Sequence, residues 1–335
     1  MPRLALAPFL LLALAACRVE HGLNRPPADY REPPAPKLQV KQSFDPKTGK
    51  LTHEYTQLVF VDRRPVKDGK EVKYSPTGEK VVEGEWKQGK RFGAWRFYYE
   101  NGKPKSESYY GDARTPTTMT FWHDNGQVSM QGPAINGSRQ GTWRVRLDDG
   151  SFATGPYVDD KRQGLWVVTW PDGVKRAEGP MLKGVRSGAW VEYDELGRLR
   201  ARGSYKDDLR TGVWVMFDET GAKAGTGVMR GELRDGHWVE WETDGARLEG
   251  DYVAGRRDGP WIVTSADEKT VLAQGSYTAG LRVGSWNEIG TDGSSRFVGP
   301  YVDDQRHGLW EAFAPGGERL GAVRYERGIR METAP

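Results

Sequence analysis

Residues 84–95 read Gly-Glu-Trp-Lys-Gln-Gly-Lys-Arg-Phe-Gly-Ala-Trp, and most of the 335-residue chain restates this stretch at a fixed interval. The Gly-x-Trp that closes it occurs nine times, at steps of 23 to 25 residues apart from one step of 48. Its tryptophans are Trp95, Trp143, Trp166, Trp190, Trp214, Trp238, Trp261, Trp286 and Trp310. Such a period predicts a repeat protein in which one supersecondary unit is stacked many times.

The step of 48 residues contains one copy that has lost its signature. Turn dipeptides Asn-Gly at 101–102 and 125–126 are 24 residues apart, so Met119 falls where Trp95 stands in the copy before it. This copy has kept its turn and lost its tryptophan.

Each copy carries the signals of one β-hairpin and a return turn. Asn-Gly or Asp-Gly, as at 101–102 and 172–173, lies between short aromatic runs and favours a tight type I′ turn, because both residues tolerate positive φ. A second strand then leads through Gly-x-Tyr, as in Gly155/Tyr157, to another turn such as Asp159-Asp160. The sequence therefore predicts an all-β fold, an elongated, single-layered, twisted antiparallel meander of about eleven hairpins, on the order of 100 Å long at about 4.8 Å per strand.

The recurring aromatic and glycine columns indicate how the hairpins hold together. A single hairpin is not stable in water, so the Trp and Tyr columns must pack against the neighbouring copies. Glycine in the facing columns leaves room for a large ring to lie across the backbone.

Composition excludes several classes of protein. Apolar residues make up only 37% of the chain and glycine is abundant, which is unusual for a compact enzyme of this length. The net charge of +3, from 49 basic and 46 acidic residues, argues against nucleic-acid binding. A single cysteine, Cys17, excludes a disulfide framework and a cysteine-based metal site.

Residues 1–17 have the pattern of a secretory signal, with Arg3, an apolar run from Leu4 to Leu14, and small residues before Cys17. Residues 14–17, Leu-Ala-Ala-Cys, resemble the bacterial lipobox, in which the cysteine is acylated and becomes the first residue of the mature chain. Two or three acyl chains give stable anchoring. An ordinary signal with an incidental cysteine is the alternative. Arg18, where inner-membrane sorting has Asp, points to the outer membrane.

The rest of the chain divides into four predicted segments. Residues 18–43 are rich in proline and form an extended tether. Residues 44–83 enter the pattern gradually and are interpreted as atypical capping repeats. The regular repeats occupy 84–328, and residues 329–335 form a C-terminal tail.

Residues 83–93, Glu-Gly-Glu-Trp-Lys-Gln-Gly-Lys-Arg-Phe-Gly, resemble the MORN repeat (membrane occupation and recognition nexus). Trp95 and its equivalents stand where the usual repeat has another glycine, and this departure resembles the bacterial MORN-variant repeat of YwqK-type antitoxins. The resemblance covers about residues 44–328. It implies a β-hairpin array, and it leaves function open, since such repeats serve as structural, lipid-associated and protein-binding modules.

One further column is a candidate binding site. An arginine stands two residues before each signature glycine, at Arg91, Arg139, Arg162, Arg186, Arg210, Arg234, Arg257, Arg282 and Arg306. Stacked repeats align these side chains into a ladder. In the structural interpretation each guanidinium stacks on an aromatic ring or pairs with turn carboxylates such as Asp160, Asp208 and Asp304. In the alternative interpretation they form a strip for anionic lipid head groups or envelope polysaccharide.

No catalytic or metal-binding constellation is present in the sequence. The five histidines fall in different columns, no pair has metal-ligand spacing, and no cofactor is expected. Two irregularities, the worn copy at 114–123 and a longer turn at 265–269, are either contact points or sequence drift.

These observations predict a non-enzymatic, lipid-anchored protein of the bacterial cell envelope, at the outer membrane, whose array is a scaffold for a protein partner or an envelope component. The first alternative is an antitoxin that neutralises a toxin by binding it, against which the signal and tether count. The second is a glycan- or anionic-lipid-binding module, for which exposed aromatic rings in a groove would be the mark.

Overall fold

The computed structural model describes residues 31, 33–111, 114–290 and 292–331. The predicted signal, Cys17 and most of the predicted tether lie outside the described residues. Within them the protein is all-β, and 29 antiparallel strands form one open sheet. The predicted fold class is confirmed.

The first fifteen strands are β1 (Lys37–Phe44), β2 (Leu51–Val59), β3 (Val66–Tyr74), β4 (Lys80–Lys87), β5 (Lys90–Tyr98), β6 (Pro104–Tyr110), β7 (Thr117–Trp122), β8 (Val128–Ile135), β9 (Ser138–Arg139), β10 (Gly141–Arg146), β11 (Phe152–Val158), β12 (Lys161–Arg162), β13 (Gly164–Thr169), β14 (Lys175–Leu182) and β15 (Val185–Arg186). The others are β16 (Gly188–Tyr193), β17 (Leu199–Lys206), β18 (Leu209–Phe217), β19 (Lys223–Arg230), β20 (Leu233–Trp241), β21 (Arg247–Val253), β22 (Arg256–Thr264), β23 (Val271–Thr278), β24 (Leu281–Ile289), β25 (Arg296–Val302), β26 (Gln305–Arg306), β27 (Gly308–Phe313), β28 (Arg319–Glu326) and β29 (Ile329–Met331).

Each strand pairs with the strands before and after it along the chain, so the sheet is a continuous meander. The two-residue strands β9, β12, β15 and β26 are the beginnings of β10, β13, β16 and β27, each separated from the longer strand by one bulged residue. Counted by their turns, the described residues contain twelve hairpins, one more than the repeat pattern predicts. The extra hairpin lies at the N-terminal end, where the signature is absent.

The turn with type I′ geometry is the return turn between copies, and not the Asn-Gly or Asp-Gly turn for which it was predicted. At residues 99–103 the N–H of Gly102 donates to the carbonyl of Tyr99 at 3.0 Å, and of the Asn-Gly pair only the glycine has a positive φ, 76°. The prediction was wrong because this loop has an extra residue, and only the last position must then be left-handed. The two-residue return turns instead have two positive φ angles, as at Asp207 (53°) and Asp208 (65°).

Strand β1 begins at Lys37, inside the stretch predicted as tether. It pairs with β2 along its whole length, from Lys37 opposite Val59 to Phe44 opposite Leu51, although every one of its residues is exposed. The predicted boundary at residue 43 is therefore too late. The prolines end at Pro36, and the alternation of Leu38 and Val40 with polar residues suits a strand.

The sheet has two unlike faces. We call the face that carries the signature tryptophans the Trp face and the opposite one the back face; because strand side chains alternate, Trp214 lies on the former and Val213 and Val215 on the latter. All nine signature tryptophans are buried, with an exposure of 4% or less, and Tyr157, Tyr205, Tyr252 and Tyr301 are buried with them. The core is one side chain thick and lies entirely on the Trp face.

Candidate functional site

The Trp face begins with a ring laid across a glycine. Trp214 lies over Gly203, eleven residues earlier, and a Cβ added at that glycine would be 2.2 Å from the ring. The indole N–H donates to the carbonyl of the next residue, Ser204, at 3.1 Å. The same two contacts occur for all nine signature tryptophans. Glycine in this column is therefore a platform for a ring, as the sequence predicts.

The worn copy shows that the platform and the ring go together. Met119 replaces the tryptophan, and eleven residues earlier Ser108, which is 2% exposed, replaces the glycine. At the other end of the array Val323 occupies the platform column opposite Trp310, where no further tryptophan follows. The glycine is lost wherever no indole has to lie on it.

Tyrosines join most successive tryptophans into an aromatic row, and Met181 and Met229 take the tyrosine position in two copies. Tyr205 contacts Trp190 on one side and Trp214 on the other, with ring centroids 5.9 and 5.2 Å apart and ring planes at 80° and 87°. Edge-to-face contacts of this kind add to the energy of burial. Because each of these residues belongs to the hairpin between two tryptophans, it packs neighbouring copies together.

All nine ladder arginines cover this row, with the guanidinium carbon 3.9 to 4.8 Å from an aromatic ring centre. Six lie over the tryptophan of their own copy: Arg91, Arg162, Arg210, Arg234, Arg257 and Arg306. The other three lie over the tyrosine of the next copy: Arg139, Arg186 and Arg282.

The three arginines on tyrosine are those that meet an Asp-Asp return turn. Asp160, Asp208 and Asp304 accept hydrogen bonds from Arg139, Arg186 and Arg282 at 2.9, 3.1 and 3.1 Å. These contacts are the ones that the structural interpretation of the ladder describes. Because each of these guanidiniums bonds to the carboxylate of the next return turn, it lies over the tyrosine of the row and not over the tryptophan.

A set of glutamates on the Trp face was not predicted. Glu192, Glu240 and Glu288 stand two residues after a signature tryptophan in every second copy, at an interval of 48 residues. Glu192 accepts hydrogen bonds from the Tyr205 hydroxyl and from Arg210, both at 2.7 Å. Intervening copies have an apolar residue there, such as Val168. The 48-residue spacing was visible in the sequence and could have identified this set.

These buried partners shift the acidity of the groups around them. Burial raises the pKa of Tyr205, and its hydrogen bond to Glu192 raises it further. Burial works to lower the pKa of Arg257, but hydrogen bonds to Tyr252, Tyr277 and Glu240 outweigh it and raise that pKa above its ordinary value. The arginines that pair with these glutamates remain charged and hydrogen-bonded.

Arg91 and Arg162 differ from the others, since no carboxylate of the described residues lies within ion-pair distance of either. Arg162 lies over Trp166 and donates to the Tyr157 hydroxyl at 3.3 Å. Its copy has Val168 at the position that glutamate occupies in the copies with Glu192, Glu240 and Glu288. Arg162 is therefore a half-buried cation with donor capacity left.

Arg162 borders a groove of about 800 Å³ on the Trp face. Small side chains at Ala153, Ala177 and Ala201 form part of its lining, in a column where a few other copies have larger residues such as Leu248 and Phe297. Trp170 stands on the hairpin-turn side. Arg200 also lines the groove. The array thus has a recess with aromatic and charged walls that crosses about three repeats, and its lining holds five arginines and four carboxylates.

The remaining positions singled out in the sequence lie in different copies. His53 and His237 each pair with a glutamate, Glu71 and Glu249, whereas His21 lies outside the described residues. The longer turn at 265–269 closes through a hydrogen bond from the N–H of Ser265 to the carbonyl of Thr270. Among the described residues no cluster of three or more His, Cys, Asp or Glu side chains is placed to hold a metal ion, and no helix there is long and apolar enough to span a bilayer.

Comparison with known protein families agrees with this geometry. The MORN repeat variant model matches residues 93–112, from the bulge glycine of one copy to the end of its hairpin. No curated protein matches the chain. The chain therefore carries a MORN repeat variant, a kind of repeat consistent with a binding scaffold, and the matched stretch is one of the hairpins described above.

Proposed function

We propose that this protein is a non-enzymatic, lipid-anchored envelope protein that binds a partner protein in the groove of its Trp face. The observation that carries the proposal is the recess lined by alanines at 153, 177 and 201. In a face otherwise filled by stacked rings, this is a concave surface of several hundred Å³, the usual form of a binding site.

The chemistry of the groove favours an acidic, extended segment of the partner. Arg162 keeps free donors, and Arg200 makes no ion pair with the described residues. A guanidinium offers a planar pair of donors that matches a carboxylate. Trp170 supplies an apolar surface beside them, so that one short segment could place an acidic and an apolar side chain together.

Site-specific cross-linking in intact envelopes tests the groove. A photo-reactive amino acid at position 200 is expected to capture a partner, whereas one at the exposed Arg330, on the last strand and outside the groove, is the matched control. Arg200→Glu should weaken capture from a neighbouring groove position, and Arg330→Glu should not. Equal capture at the two positions would remove the groove from the proposal.

The anchor is tested separately by labelling with a tagged palmitate. Label that disappears in Cys17→Ala, with the native chain in the membrane fraction, is the expected result. An unlabelled chain in the cytoplasm would overturn the envelope assignment and make toxin neutralisation the leading hypothesis.

A further inference from the structure

We propose that the back face is the contact surface for a second copy of this chain, in an antiparallel, two-fold symmetric pair whose axis runs along strand β16. The proposal rests on a self-complementary pattern of exposed and half-buried side chains on strands β11 to β19. It concerns the face opposite the groove and does not depend on the proposed partner protein.

The first row of the pattern is centred on Val191, which follows Trp190 on β16. Its cross-strand neighbours are Glu178 on one side and Arg202 on the other. Val167 pairs with Glu178 and Val215 pairs with Arg202, which continues the row outward on both sides. On each side of Val191 the neighbouring strand carries a charged residue, and the strand beyond it carries a valine. The two charged residues have opposite signs and are equally far from Val191.

The second row is centred on Ala189, two residues before Val191 on the same strand and face. Leu165 and Val213 occupy the same column in the copies before and after, and both are largely exposed, at 60% and 62%. Pro156 and Val228 lie one strand further out, on β11 and β19. This row is apolar or small throughout, and its larger members are also equidistant from β16.

A two-fold axis along β16 makes the two rows complementary to themselves. It reverses the order of strands in the second copy and keeps each row opposite the same row, as isologous contacts require. Glu178 then faces the partner's Arg202, and Arg202 faces the partner's Glu178. Val167 faces the partner's Val215, and Leu165 faces the partner's Val213.

The area of the surface suits a specific pair. Seven strands at about 4.8 Å and about six residues at about 3.4 Å cover roughly 700 Å² per copy, or about 1,400 Å² in total, within the range of specific interfaces. Contact through the back face would bury aliphatic side chains that the single-layered sheet leaves in water. The Trp-face groove would stay open on the outside of the pair.

The pattern weakens beyond β19, where the back face becomes more polar. From β20 to β24 the column of Leu165 and Val213 carries His237, Pro260 and Ser285. The column of Val191 keeps aliphatic residues at Val239 and Ile262 and becomes polar at Asn287. An open groove lined by these and by Glu249 lies there. In the column of Leu165 the large exposed aliphatic side chains therefore stop at Val213 until Leu309 on β27, and a pair centred on β16 places Leu165 and Val213 within the contact.

Cross-linking between copies tests the position of the axis. In the full chain carrying Cys17→Ala, the change Ala189→Cys leaves one reactive thiol, on the proposed axis. A short bismaleimide should then join two copies. Ser285→Cys is the matched control, in the same column on the same face; two copies of it would lie tens of Å apart at about 4.8 Å per strand and should not be joined.

A charge exchange tests the complementarity itself. In sedimentation equilibrium of the full chain, Arg202→Glu places two pairs of like charges in the contact and should weaken dimerisation by about tenfold or more. The double variant Glu178→Arg with Arg202→Glu restores opposite charges and should return the dissociation constant to near its native value. Near-ultraviolet circular dichroism confirms that each variant keeps its aromatic row.

Three results would overturn the proposal. The native chain could remain monomeric at every concentration tested. The double variant could be as weak as the single variant, which would show that the two charges do not meet. Position 189 could be cross-linked in cells only to a different protein, which would assign the back face to another partner.

Discussion

The two faces of this sheet are built on opposite principles although the same strands form both. On the Trp face Trp214 is fully buried, whereas its neighbour Val213, on the back face, is 62% exposed. A ring that lies flat on a glycine, with a tyrosine beside it and an arginine above, needs only a single layer of side chains to exclude water. A ribbon one sheet thick can therefore have a core without a second layer of structure.

Removing a ring should give the largest difference between the faces. Trp214→Ala deletes a fully buried side chain and should lower the free energy of unfolding by about 3–5 kcal/mol. Val213→Ala, one residue away on the back face, should change it by less than about 0.5 kcal/mol. Urea denaturation at low protein concentration measures both, and similar losses would show that the back face is also a core.

The N-terminal cap should lose stability in acid because of a carboxylate on β3. Glu71 is 2% exposed and accepts hydrogen bonds from Lys67, Trp86 and His53. Burial acts to raise its pKa, but these partners outweigh burial and lower it from 4.5 to about 2. The stabilisation is thus complete above pH 4.5 and is lost as the pH falls toward 2, by about 3 kcal/mol in all.

Hydrogen exchange in β2 to β4 as a function of pH measures this loss. Glu71→Gln should lower protection at pH 7 and flatten its dependence between pH 4.5 and 2. An unchanged pH dependence in this variant would assign the acid sensitivity to another group.

Filling the glycine platform should have the next largest effect. At Gly203 a methyl group would be 2.2 Å from the Trp214 ring, so Gly203→Ala should destabilise the protein by about 1–3 kcal/mol. Gly321, on β28, has no neighbour near its added Cβ. Gly321→Ala should therefore be neutral or slightly stabilising, and equal losses in thermal unfolding would refute the platform role.

The smallest expected effect separates two arginines on opposite faces. Arg210 stacks on Trp214 and pairs with Glu192, whose side chain is 19% exposed. Arg210→Gln should cost about 1–2 kcal/mol, since it leaves that carboxylate without its charged partner. Arg144→Gln, on the back face and without an ion pair among the described residues, should cost less than about 0.5 kcal/mol. The ratio of the two in urea denaturation is the test.

The repeat period and the turn dipeptides together were enough to predict the hairpin meander, because the turns divide each copy of about 24 residues into two strands and each copy must bury the ring of the next. Trp and Gly columns were informative for the same reason, as Ser108 beneath Met119 shows. What escaped prediction depends on contacts between copies. Arg186 stacks on Tyr205 and not on the tryptophan of its own copy, because Asp208 in the next return turn accepts its hydrogen bonds.

The charged rungs and the first strand escaped for different reasons. Glu192 and its equivalents recur at twice the repeat, a period that is hidden when all copies are aligned as one unit. Strand β1 has no signature and is exposed throughout, so its assignment depends only on pairing with β2. Cys17 and the anchor remain predictions, since they lie outside the described residues.

The direction of the strands has a mechanical consequence for a chain tethered at one end. Because every strand runs across the long axis of the ribbon, a force applied to the two ends of the chain breaks the backbone hydrogen bonds sequentially, a few at a time. Each opened copy of 24 residues would release about 80 Å of chain at 3.3–3.6 Å per residue. Such a ribbon would extend in steps under modest force and close again by re-pairing, beginning from any hairpin that stayed shut.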